Sequence, residues 1–208
     1  MWEITEITGE STVKKNPTEV KVYDFKGFLG KASPYGVYDI TYNNGWVNVG
    51  ISHDTAEFAV NSIRRWWYGI GQSLYPDARK IYITADCGGS NGYRVRLRKT
   101  ELQKLSDEIG REIHVSHFPP GTGKWNKTEH RMFGFISQNR RGKPLTDYVT
   151  IISLISNTKT DRGLEIRAVF DDNVYEKGRK ISDEEFDKVS IYRYKFHGDW
   201  NYKILPHK

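Results

Sequence analysis

The order of apolar runs predicts an α/β fold, a mixed sheet with an antiparallel hairpin and parallel strands flanked by helices. Three observations carry this. Residues 36–42 and 46–51 are strand-like runs on either side of Asn43-Asn44-Gly45, and Asn-Gly tolerates positive φ, a strong hairpin signal. Two further runs, 81–86 and 112–118, are separated by a helix-like stretch, the pattern of parallel strands joined by a crossover. Helix-like segments also precede the first of these runs and follow the second.

Taken in order, residues 1–19 are polar without firm periodicity and read as a loose N-terminal arm, leaving 20–208 as one core. Residues 20–25 alternate as a short strand would. After the hairpin, Asp54 is the expected N-cap of a helix, with Glu57 as its capping-box partner. Ala56, Ala59, Val60, Ile63 and Trp67 mark its buried face, and Gly69 and Gly71 are expected to end it. A helix over about 93–109 places Val95, Leu102, Leu105 and Ile109 inward and stops at Gly110, with Arg94, Arg96, Arg98 and Lys99 read as a solvated face. Pro119-Pro120 breaks the strand at 112–118. Further helices are expected to about residue 140 and over about 146–158, with a strand at 164–170 and a capped short helix at 182–185. The aromatic tail through Trp200 and Tyr202 packs back on the body.

At 208 residues the chain suits one domain, or one with a small extension. The net charge of +6 fits an acidic partner, of which nucleic acid is the commonest. One cysteine excludes an intramolecular disulfide framework and any multi-cysteine zinc site. No apolar run approaches the ~20 residues that span a bilayer, and the N-terminus lacks a signal-peptide pattern, so the expectation is a soluble cytoplasmic protein.

Two carboxylates stand out. Asp86 ends a strand-like run and precedes Cys87-Gly88-Gly89, where glycine lets a phosphate or backbone come close. A turn cap is the competing role. Glu129 sits at the third position of a helix that Asn126 could cap, yet it shares a stripe with Met132, Phe133 and Ile136. A carboxylate turned inward is costly unless paired or metal-bound. Hard Mg²⁺ takes such oxygen ligands, and two-metal nucleases need three or more carboxylates. Asp39 is the third candidate, with preparation of the Asn-Gly turn as its alternative role. Around Glu129, Lys124, Trp125, Asn126, Lys127, His130 and Arg131 supply cations and an aromatic ring suited to a DNA backbone and a splayed base. Gly121-Thr122-Gly123-Lys124 lacks P-loop spacing, and the histidines show no zinc-like clustering.

Longer strings carry a resemblance. They include Gly30-Lys31-Ala32-Ser33-Pro34-Tyr35-Gly36-Val37-Tyr38-Asp39, Ile83-Thr84-Ala85-Asp86-Cys87-Gly88-Gly89-Ser90-Asn91-Gly92, His117-Phe118-Pro119-Pro120-Gly121-Thr122 with Trp125-Asn126-Lys127 and Glu129-His130-Arg131, and Phe196-His197-Gly198-Asp199-Trp200-Asn201-Tyr202. From about residue 16 onward the chain resembles the Rhodopirellula-type (ISAzo-type) insertion-sequence DDE transposases. The resemblance implies an RNase H-like catalytic core and Mg²⁺ (or Mn²⁺) as cofactor. It also implies DNA, both element ends and target, as partner, with a homo-oligomer or a full-length transposase as further partners. On that footing Asp86 is the second catalytic acid and Glu129 the third. The family's first acid lies in an Asp-Thr-Lys-Lys-type strand that has no counterpart here, and the family's DNA-binding helices have none either. The resemblance therefore also implies an N-terminally truncated chain, whose alternative function is that of an inactive remnant binding DNA or a partner transposase.

Overall fold

A computed structural model describes residues 32–143, 145 and 147–207. The strand expected at 20–25 and the arm at 1–19 lie outside the described residues. The described residues divide into two compact units, one of those up to residue 52 and within 127–174, the other of 53–126 and those from 175 onward.

In the first unit, β1 (Ser33–Asp39) and β2 (Asn44–Gly50) form the expected antiparallel hairpin, and β5 (Glu165–Asp171) lies parallel to β2 on its other side. Asp39 pairs with Asn44, so the turn is residues 40–43, and Asn43 takes the left-handed conformation at φ 55°. Gly45 lies inside β2 rather than in the turn. Its role is close approach: a Cβ there would meet Met132 Sδ at 2.6 Å and Ile166 Cγ1 at 3.1 Å. On β1, a Cβ at Gly36 would collide with Met132 and would lie 2.6 Å from the Phe133 ring. These two glycines open a floor onto which one helical segment settles. That segment is a π-helical turn, Glu129–Phe133, leading into α3 (Gly134–Asn139). Met132 and Ile136 join Val47, Val49, Ile166 and Ala168 in the unit's core, together with Ile151 and Ile155 of α4 (Tyr148–Ser156). Asp147 caps α4, its carboxylate accepting from Thr150 N at 2.7 Å.

In the second unit, β3 (Lys80–Ala85) and β4 (Glu112–His117) are parallel, joined by α2 (Arg96–Ile109), as the crossover pattern predicts. The aromatic tail does pack back, as two strands: β7 (Asn201–Ile204) pairs antiparallel with β4, and β6 (Ile191–Arg193) with β7. Before β6, Ser182 and Glu185 form a capping box on α5 (Asp183–Asp187). The strands thus make two sheets, β1-β2-β5 and β3-β4-β7-β6, mixed in both cases.

Three local expectations give way. The N-cap of α1 (Ala56–Trp66) is Thr55, not Asp54: the extended Thr55 backbone brings Oγ1 to 3.2 Å from Phe58 N, one position later than the acid. Gly69 and Gly71 do not end the helix, which widens into a π turn, Trp67–Gly71, and runs to Leu74. The wider turn accompanies two consecutive buried indoles, Trp66 and Trp67, and a Cβ on Gly71 would press against both. Finally, Arg98 and Lys99 are buried, not solvated. Arg98 precedes Leu102 by four residues and Leu105 by seven, so it lies on the inward stripe. Its Nη1 donates to Asn91 Oδ1 at 2.7 Å, and the Lys99 ammonium lies 5.4 Å from the centroid of the Tyr202 ring. Arg94 and Arg96 are exposed as expected, and Gly110 ends α2 at φ 62°.

Candidate active site

Asp86 follows the last residue of β3, at the carboxyl end of a parallel strand. Its half-buried carboxylate makes one local bond, Oδ1 accepting from Gly88 N at 3.2 Å, a turn contact that leaves Oδ2 open. The backbone beneath it is braced from β4. His117 donates from Nδ1 to the Asp86 carbonyl at 2.9 Å, Phe118 N donates to Ala85 O at 2.8 Å, and the Cys87 thiol donates to Phe118 O at 2.9 Å. The His117 ring is buried against Tyr93 and Tyr202. Burial, aided by Arg98 and Lys99, pushes its pKa down to about 4, so it stands as a neutral donor. Arg98 holds the far end of the same loop through Asn91. Neither His117 nor Arg98 stands out from the sequence as support for Asp86. The helical spacing of Arg98 from Leu102 was the available signal for Arg98; for His117 only its strand-end position was.

Glu129 belongs to the other unit. Met132 and Ile136, three and seven residues on, are buried as the stripe predicts, and Phe133 packs beside them. Asn126 has the extended backbone of an N-cap, but the reciprocal half of a capping box is not made. Among the described residues the half-buried Glu129 carboxylate accepts no hydrogen bond and forms no ion pair. Asp39, in the same unit, is buried, and its Oδ1 accepts from Thr41 N at 2.9 Å and Tyr42 N at 3.2 Å, the turn role weighed against a catalytic one. A further acid at a strand end, Asp171, was not singled out from sequence. It is fully buried, and Asn48 Nδ2, Asn173 N and Asn173 Nδ2 satisfy it at 2.7, 3.1 and 2.7 Å. Asp171 therefore ties β5 to β2.

Lys124, Trp125 and Lys127 are exposed, as are His130 and Arg131, and Asn126 is half-buried. A short 3₁₀ turn, Gly123–Trp125, displays the indole. Among the described residues no three His, Cys, Asp or Glu side chains cluster to hold a metal ion. As donors, Asp86 with an open oxygen and Glu129 with no partner fit a hard divalent cation; Asp39, with Oδ1 engaged twice, fits less well.

Mixed sheets of parallel and antiparallel strands flanked by helices are compatible with the RNase H-like fold of the DDE transposase class. The chain belongs to one family of that class: the model described as the Rhodopirellula transposase DDE domain matches residues 5–206. No curated protein and no solved structure gave a match. Among the described residues no helix is long and apolar enough to cross a membrane.

Proposed function

We propose that this domain cleaves DNA at the ends of an insertion element and joins it to a target, with Asp86 and Glu129 as two acidic ligands of Mg²⁺ or Mn²⁺. The family match over nearly the whole chain carries this reading. What supports the residue assignment is the contrast among the acids. Among the described residues, Asp39 and Asp171 have oxygens engaged by amides, whereas Glu129 has no partner and Asp86 keeps an oxygen open. A bound divalent ion would supply charge for the attacking and leaving oxygens of an in-line displacement. The chain's own part is to hold Asp86 on the β3–β4 brace and Glu129 on its glycine-floored helix, and to offer Lys124, Trp125, Lys127, His130 and Arg131 to the DNA. The protein acts in the cytoplasm on this reading.

The test is Mg²⁺-dependent nicking of element-end DNA. Asp86→Asn and Glu129→Gln abolish it while Asp39→Asn lowers stability more than activity; metal-dependent cutting that survives both of the first two substitutions sinks the assignment. A second reading, a domain that binds DNA or a partner transposase without cutting, is favoured by the turn-capping role of Asp39, which leaves two of the three candidate acids, Asp86 and Glu129, available among the described residues. It predicts salt-sensitive DNA binding with no nicking at any metal concentration.

A further inference from the structure

The β3-β4-β7-β6 sheet is two-faced. Ile81, Ile113, Val115, Tyr202 and Ile204 are buried on one side. The alternate residues form a cross-strand row in register, Tyr82 opposite His114, His114 opposite Lys203, and Lys203 opposite Tyr192. Beside it runs a second row, Thr84, Ser116 and Asn201, continued by Tyr194, whose N donates to Asn201 O. Tyr82, Tyr192 and Tyr194 are 65%, 52% and 41% exposed, an unusual load of open aromatic rings for a sheet whose first two strands are parallel.

Two of the three rings, Tyr82 and Tyr194, are anchored at their hydroxyls rather than loose. Tyr82 Oη lies 2.6 Å from Ser116 Oγ. His114 donates from Nε2 to Glu112 at 2.9 Å, so its Nδ1 accepts from the Tyr194 hydroxyl at 2.5 Å. Glu112, the acid of this face, is thereby occupied by His114 and by Lys80, at 3.7 Å. Lys203, which also interacts with Glu112 at longer range, is the central positive charge of the row, 5.5 Å from the centroid of the Tyr192 ring, with Lys195 exposed nearby in sequence. From Tyr82 and Thr84 the same strand runs directly into Asp86.

We propose that this open face is a track for single-stranded DNA, with bases stacking on Tyr82, Tyr192 and Tyr194 and a phosphate held by Lys203. The inference rests on the DNA-processing reading for its partner but not on the metal site. Aromatic faces on a four-stranded sheet stack two or three unpaired bases, whereas duplex DNA offers no base faces to them. Anchored hydroxyls hold Tyr82 and Tyr194 ready to stack before the strand arrives, Lys203 lies over the Tyr192 ring, and the positive charge is complementary to the phosphate backbone. A strand bound here leads toward the β3 carboxyl end, where Asp86 sits.

The experiment is fluorescence anisotropy of a labelled oligothymidylate with EDTA present, so that no metal-dependent step contributes. Tyr82→Ala and Tyr192→Ala each weaken binding about 5- to 150-fold, while Tyr82→Phe, which keeps the ring but not its Ser116 anchor, loses less than Tyr82→Ala. Lys203→Met flattens the log–log salt slope by about 0.7. Asp86→Asn and Glu129→Gln keep oligothymidylate binding even where nicking is lost, so the two proposals fail separately. Alanine variants with wild-type melting and wild-type affinity overturn the track. So does equal loss in the alanine and phenylalanine variants, or a wild-type dimer that Tyr192→Ala splits, which makes the face a protein interface.

Discussion

Replacing Gly45 by alanine tests how the Glu129 segment is seated. The new Cβ would lie 2.6 Å from Met132 Sδ and 3.1 Å from Ile166 Cγ1, both well inside ordinary carbon contact distance. Met132 is fully buried and its thioether is flexible, so part of the strain is relieved by its rotation, but Ile166 sits on the neighbouring strand and has less freedom. Overpacking of this size costs about 1–3 kcal/mol, offset by up to about 1 kcal/mol because alanine is favoured over glycine in a strand. The net expectation is a loss of about 1–2 kcal/mol, a fall in melting temperature of about 2–8 °C. Met132→Ala alone costs about 2–5 kcal/mol through the cavity it leaves. In the double variant the alanine at 45 reaches into that cavity, so the two costs sum to less than their separate values by about 1 kcal/mol or more. The assay is thermal and denaturant unfolding of the four proteins in the cycle. An unchanged melting temperature for Gly45→Ala, or strict additivity with Met132→Ala, refutes the claim that Gly45 exists to admit Met132.

The remaining expectations concern the other unit. Thr55→Ala removes the α1 cap and costs about 0.5–2 kcal/mol in denaturant unfolding, and it costs more than Asp54→Ala if Thr55 alone holds Phe58 N. Arg98→Ala removes the hydrogen bond to Asn91 and opens a cavity, costing about 2 kcal/mol or more, while Arg96→Ala, which breaks an exposed pair with Asp183 and a contact over the Phe186 ring, costs about 1 kcal/mol or less. His117 has a folded pKa of about 4, below its unfolded value near 6.5. The unfolded chain therefore takes up a proton first, and stability that is full above pH ~6.5 falls as pH drops toward 4, by at most about 3 kcal/mol. In His117→Gln that part of the pH dependence, followed by urea unfolding, disappears.

Local periodicity made much of this fold readable. The hairpin, the Gly110 stop and the Ser182 capping box depend on residues within one or two turns of one another, and the β3–α2–β4 crossover on the order of three locally periodic segments; each formed. What stayed hidden depends on distant contacts. Gly45 reads locally as a turn glycine, and only Met132, far along the chain, shows it to be a packing glycine. Arg98 and Lys99 read as surface because charge outweighed position, yet Tyr202 from the tail covers them. The two tail strands were missed because their three and four residues are too short for a period to show. Of the candidate site, the strand-end position of Asp86 and the buried stripe of Met132 and Ile136 behind Glu129 were both legible. The support from His117 was not, since it comes from a strand paired across the sheet.

The central claim is that Asp86 and Glu129 ligate the metal that DNA cleavage requires, and a change of ligand atom tests it most directly. Asp86→Cys and Glu129→Cys replace a hard oxygen donor with soft sulfur, which disfavours Mg²⁺ far more than Mn²⁺. The measurement is element-end nicking by both variants in each metal. The account predicts a loss of about a hundredfold or more in Mg²⁺, with partial recovery in Mn²⁺. Cutting in Mg²⁺ at the wild-type rate by either variant would contradict it.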